Sequence, residues 1–86
     1  MKHVLDGRRI TTKAAMLDAL ADVLGFPDYF GRNYDALNDL VNDAQLGRHT
    51  LVWQYPQVLQ EADPDAYEQF VDILGNAEGL KLQLEP

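Results

Sequence analysis

Apolar and polar residues follow two rhythms along this chain. Within the segment that starts at Lys13, Leu17, Leu20, Ala21 and Leu24 recur at i, i+3, i+4 and i+7, with Asp18 and Asp22 off that stripe. Such spacing predicts an amphipathic helix. Thr11 or Thr12 offers the hydroxyl cap at its start. Gly25, Phe26 and Pro27 supply the left-handed residue, the following apolar contact and the stop. Leu37, Leu40 and Val41 repeat the spacing and predict a second helix, capped by Asn33 and running to about Asn42. Tyr67, Phe70, Val71 and Leu74 predict a later helix that closes near Gly75 or Gly79. Asp63 stands as its cap, Pro64 as its first helical residue and Asp65 in the first turn, where the helix dipole favours an acid. Before it, Gln57 to Ala62 has room for a helical turn.

The other rhythm is that of strands. His3 to Leu5 is short and partly apolar, and Asp6-Gly7 turns the chain after it. Ile10 is expected to tuck beneath the next element. Thr50-Leu51-Val52-Trp53-Gln54 is almost continuously apolar, as in a central strand covered on both faces. Tyr55-Pro56 ends it. Leu80-Lys81-Leu82-Gln83-Leu84 alternates, which predicts a sheet-edge strand with Lys81 and Gln83 outward. Asp43 to His49 reads as a loop. Strands separated by helices require crossover connections and hence parallel pairing. The expected fold is α/β: a small three-stranded parallel sheet with helices packed around it. No repeat, low-complexity run or linker divides the chain, so residues 1–86 form one domain.

Composition narrows what such a domain can do. Asp and Glu number 14 against 7 Lys and Arg, a formal charge of −7. Nucleic-acid affinity rests on clustered bases, so direct binding to nucleic acid is not expected. The same charge disfavours anionic membranes, and a basic protein is the better electrostatic match. There is no cysteine and no serine, so neither nucleophile is available for catalysis. His3 and His49 have no ligands around them in sequence and read as structural or exposed. The six glycines look like separate turns and caps rather than a phosphate loop. No cofactor motif and no histidine-based metal spacing is visible. An enzyme is therefore not expected, and no cofactor is implied. The lack of cysteine suits a reducing cytoplasm, the expected location, and with neither a run of 18 apolar residues nor an apolar stretch at the start, no bilayer span or signal peptide is expected.

The second helix breaks the ordinary pattern. With Leu37 at 0° on a wheel of 100° per residue, Leu40 and Val41 lie near ~300° and ~40°. Asp35 and Asp39 lie near ~160° and ~200°, one turn apart on the opposite face, with Asn42 near ~140° and Asp43 near ~240°. Like charges at i and i+4 cost a few tenths of a kcal/mol. The helix N-terminus offsets some of this for Asp35, and less for Asp39. Tyr29, Phe30 and Tyr34 crowd beside these acids, as aromatics do in binding patches. Core packing is the alternative reading for the aromatics, Phe30 above all. Two carboxylates alone make a poor metal cage. Glu61, Asp63, Asp65, Glu68, Asp72 and Glu78 form a second acidic run, mainly solubilising, although Asp72 could join the second-helix acids if the helices are neighbours.

Tyr29-Phe30-Gly31-Arg32-Asn33-Tyr34-Asp35-Ala36-Leu37-Asn38-Asp39-Leu40 resembles the central motif of the barstar family of ribonuclease inhibitors, close to Tyr-Tyr-Gly-x-Asn-Leu-Asp-Ala-Leu-x-Asp. Leu5-Asp6-Gly7, Ile10, Leu20, Leu24, Pro27 and Trp53 also fall where that family has similar residues. The C-terminal third matches in pattern only. The resemblance implies a three-stranded parallel sheet and a cytoplasmic inhibitor, monomeric when free. It would plug the active site of a basic, secreted, guanyl-preferring ribonuclease of the barnase type in a 1:1 complex, as an immunity or antitoxin protein does. By that likeness Asp39 would fill the enzyme's phosphate pocket, and Asp35 would pair with a catalytic-side arginine or accept hydrogen bonds. Tyr29 would stack on the active-site histidine, and Asn33 would bond to nearby backbone. Asn38, Asp43 and Asp72 complete the expected contact set. Asn38 stands where barstar has a large aromatic. Asp43 and Ala44 stand where it has glycine and a second contact aromatic, and its late-helix acid has no secure match. An acidic interaction module with a different basic protein or toxin as partner is the alternative these departures leave open.

Overall fold

The computed structural model describes residues 2–28, 30–43 and 48–86. The chain runs β1 (Lys2–Asp6), α1 (Lys13–Leu24), α2 (Tyr34–Val41), β2 (His49–Gln54), α3 (Pro56–Ala62), α4 (Pro64–Gly75) and β3 (Leu80–Glu85). The strands form one parallel sheet in the order β1-β2-β3. This is the α/β fold expected from the alternation of strands and helices.

Local chemistry explains most boundaries. Thr12 is the cap of α1, its hydroxyl accepting from the Ala15 amide at 3.1 Å. Gly25 ends that helix at φ 69°, a left-handed conformation that glycine adopts without a Cβ clash. The Phe26 amide then reaches back to the Ala21 carbonyl at 2.9 Å, which closes a Schellman turn. Asp63 ends α3 and caps α4, accepting from the Ala66 amide at 3.1 Å, with Pro64 as the first helical residue. The turn expected after residue 57 is a helix from Pro56, and Tyr55 precedes it at φ 54°. An aromatic residue in the left-handed region is an uncommon cap. Here the Tyr55 amide bonds to the Glu85 carbonyl at 2.8 Å, and the Arg8 guanidinium lies 5.7 Å from its ring.

β2 is central, as its apolar run predicts, and Leu51, Val52 and Trp53 are buried. Side chains alternate across a sheet, and register partners share a face. Leu5, Leu51, Trp53, Leu80 and Leu82 point to one face and join the helical core with Met16, Leu20, Leu37, Phe70 and Leu74. On the other face Val52 is flanked by its register partners Val4 and Gln83, and Val4 is half exposed. The helical core thus covers one face of β2, while neighbouring strands flank the buried residue on the other. β3 lies at a sheet edge with Lys81 and Gln83 exposed, as expected. Trp53 anchors the core, fully buried, with the Tyr67 ring 5.6 Å away. α2 packs on α4, and this contact holds the acidic helix against the body of the protein.

Candidate recognition helix

α2 owes its start to two neighbours. Arg32 reverses the chain at φ 50°, and its guanidinium pairs with Asp18 on α1. Asn33 then adopts an extended cap conformation. Its Oδ1 accepts from the Ala36 amide at 2.8 Å, and its Nδ2 donates to the Gly31 carbonyl at 3.3 Å. The side chain that begins the helix therefore also holds the turn before it. Leu37 and Val41 are fully buried, with Ala36 and Leu40 half-buried beside them. The Tyr34 ring meets Phe70 of α4 edge-on at 5.3 Å, and the Lys13 ammonium sits 4.0 Å from its centroid. Burial, helped by Asp63 and Asp65, raises the Tyr34 phenol above its ordinary pKa. Phe30 is buried and packs edge-on against Phe26, the core role weighed for it from sequence.

With that stripe fixed inward, the opposite face is exposed at Asp35, Asn38, Asp39, Asn42 and Asp43. Among the described residues no cation forms an ion pair with Asp35 or Asp39. Asp35 lies in the first helical turn, where the macrodipole favours its charge. Asp39 lies a turn further on. Phe30, Gly31, Ala36, Asp39 and Leu40 line a shallow cavity of about 170 Å³. A mostly apolar lining that includes one carboxylate suits a cationic or aromatic group from a partner. Tyr29 and Ala44 lie outside the described residues.

Asp72 is exposed on α4, the helix that packs on α2, and its carboxylate accepts from Asn76 Nδ2 at 3.0 Å. The acid whose backbone is bonded to the acidic helix is instead Glu78, whose amide donates to Asn42 Oδ1 at 3.0 Å. That contact joins positions 36 residues apart, and nothing in the local pattern announces it. Elsewhere, His3 and His49 contact each other across the sheet. No group of three metal-ligating side chains occurs among the described residues.

The structure defines a class: a small α/β domain with a three-stranded parallel sheet that presents an exposed acidic helix beside a mostly apolar cavity. Comparison with known proteins gives that class a family. The sequence model described as "Barstar (barnase inhibitor)" matches residues 1–83. The chain is also 50% identical over 88 aligned positions to a Bacillus subtilis (strain 168) protein named "Putative ribonuclease inhibitor YrdF", with 85% of this chain and 97% of that protein covered. The chain belongs to the barstar family.

Proposed function

We propose that this protein inhibits a ribonuclease by occluding its active site with α2 and the turn before it. The carrying observation is the pair of exposed carboxylates Asp35 and Asp39, one turn apart on a helix fixed by Leu37 and Val41, in a chain of the barstar family. The target is a basic, secreted, guanyl-preferring enzyme of the barnase type, bound 1:1 by a monomeric inhibitor. Asp39 stands in for the RNA phosphate in the enzyme's anion pocket. Asp35 pairs with an arginine beside it. Tyr29 stacks on the catalytic histidine, and Asn33 bonds to backbone at the rim. Asn38, Asp43 and Asp72 widen the contact. An inhibitor of this kind protects the cytoplasm of the cell that makes the enzyme.

The remaining charge supports the reading, since −7 overall attracts a basic enzyme from a distance. Asn38 favours a second reading, in which the basic partner is a toxin of another kind. Its carboxamide takes the place of an aromatic contact and is engaged by Asn42 at 3.2 Å. Titrating barnase with the purified chain while following RNA cleavage tests the first reading. Cleavage should fall linearly and end at one equivalent. Full cleavage at a tenfold excess of the chain would contradict it.

A further inference from the structure

We infer that Asn42 is the positioning residue of the acidic helix, fixing the C-terminal end of α2 and the side chain of Asn38 through one carboxamide. The inference rests on the reading of α2 as the surface that meets the ribonuclease.

Three hydrogen bonds converge on the Asn42 carboxamide. Its Nδ2 donates to the Asn38 carbonyl at 2.8 Å and to Asn38 Oδ1 at 3.2 Å, and its Oδ1 accepts from the Glu78 amide at 3.0 Å. The carboxamide has one possible orientation, because a carbonyl only accepts and a backbone amide only donates. The first bond adds a second donor to the Asn38 carbonyl, which also accepts from the Asn42 backbone amide at 3.2 Å, so backbone and side chain close the helix on the same oxygen. The second holds Asn38, on the same exposed face as Asp35 and Asp39. The third ties that end of α2 to the turn between α4 and β3.

Asn76 supplies an internal comparison. It ends α4 as Asn42 ends α2, and its Nδ2 bonds to the Asp72 carbonyl at 2.8 Å and to Asp72 Oδ1 at 3.0 Å. Asparagine as a C-terminal cap thus explains the two bonds made within each helix. The bond to Glu78 is additional, and it links elements far apart in sequence. α2 has eight residues, too few for a helix to hold its form without tertiary support. Leu37 and Val41 press its inner face on the core, and Asn33 fixes its start. Asn42 does the same at the other end. A face ordered before encounter loses less conformational freedom on binding, which lengthens the life of the complex. Because Asn42 is neutral, its truncation leaves long-range attraction unchanged, so the effect belongs in the dissociation rate.

The test begins with the free chain by NMR, comparing wild type, Asn42→Ala and Asn42→Asp. Asn42→Ala should speed hydrogen exchange at the Glu78 amide about tenfold and move the Asn38 side-chain amide resonances. Asn42→Asp keeps an acceptor for Glu78 but has no donor for Asn38. It should leave Glu78 protected and move only the Asn38 resonances. With barnase as probe, Asn42→Ala should raise koff about three- to tenfold at unchanged kon, and less than about twofold in an Asn38→Ala background. Unchanged Glu78 exchange in Asn42→Ala would overturn the inference. So would an equal change in koff in the two backgrounds. If wild type and Asp39→Ala alike fail to bind barnase, the ribonuclease reading has failed, and the exchange data on the free chain still decide whether Asn42 is the clamp.

Discussion

His3 and His49 meet ring to ring across the β1–β2 pair, with His3 Nε2 and His49 Nδ1 2.8 Å apart. One nitrogen must donate and the other accept, so protons on both would break the bond and set two charges against each other. Burial, then the charge of His49, then that of the N-terminus lower the His3 pKa below its ordinary 6.5. In the window between that lowered value and 6.5, the unfolded chain binds a proton that the folded chain does not, so stability rises with pH there. The contribution is complete above about pH 6.5 and is lost as pH falls through that window. Urea midpoints from pH 5 to 8 should therefore drop on the acid side for wild type, and less so for His3→Gln. Parallel curves for the two would remove His3 from the account.

On the proposed reading, folding and binding draw on opposite faces of α2, and two substitutions separate them. Leu37→Ala empties a fully buried position and should cost about 2–5 kcal/mol in a denaturant titration. Asp39→Ala removes a like-charge neighbour of Asp35 and should leave stability unchanged or raise it by a few tenths of a kcal/mol. A large loss of stability in Asp39→Ala would mean that the exposed face also holds the fold.

Two glycines should respond to alanine in opposite directions. A Cβ on Gly7 would stand 2.5 Å from the Gln54 carbonyl oxygen and 2.9 Å from Trp53 Nε1. The backbone must shift to accept it, at a cost of about 1–3 kcal/mol. A Cβ on Gly75 meets nothing within 4 Å at the end of α4, so alanine there should add about 0.4–1 kcal/mol by restricting the unfolded chain. Thermal melts of both variants suffice, and a Gly7→Ala protein as stable as wild type would contradict the close approach.

Asn33→Ala should lower stability by about 1 kcal/mol, the usual cost of losing a helix cap. It also frees Gly31 and the turn that leads into α2, so exchange should rise at the Ala36 amide in particular. An unchanged Ala36 amide would show that the cap at 2.8 Å does not persist in solution.

Sequence reveals the parts of this fold whose causes are local. Thr12, Gly25, Asn33 and Asp63-Pro64 are side-chain solutions to helix ends, and they mark α1, α2 and α4 within a residue or two. The inward stripe of Leu37 and Val41 likewise sets Asp35 and Asp39 outward before any tertiary contact is known. Tyr55 escapes such reading because its left-handed backbone is held by the carbonyl of Glu85, not by a glycine or asparagine. The His3–His49 contact depends on strand register, since His3 aligns with Leu51 rather than with His49. Glu78 reaches Asn42 only because α4 packs on α2. The acidic helix was legible from its own periodicity, whereas its tether to the turn before β3 is a product of the assembled fold.

The central claim is that Asp39 fills an anion pocket on a ribonuclease. Calorimetric titration of barnase with wild type and Asp39→Ala, at low and moderate salt, tests it most directly. The account predicts 1:1 binding that weakens with salt. It also predicts a loss of about 2–5 kcal/mol in Asp39→Ala, the general cost of leaving a buried charge without its partner. Equal affinity of the two proteins for barnase, or no binding by wild type, would contradict it.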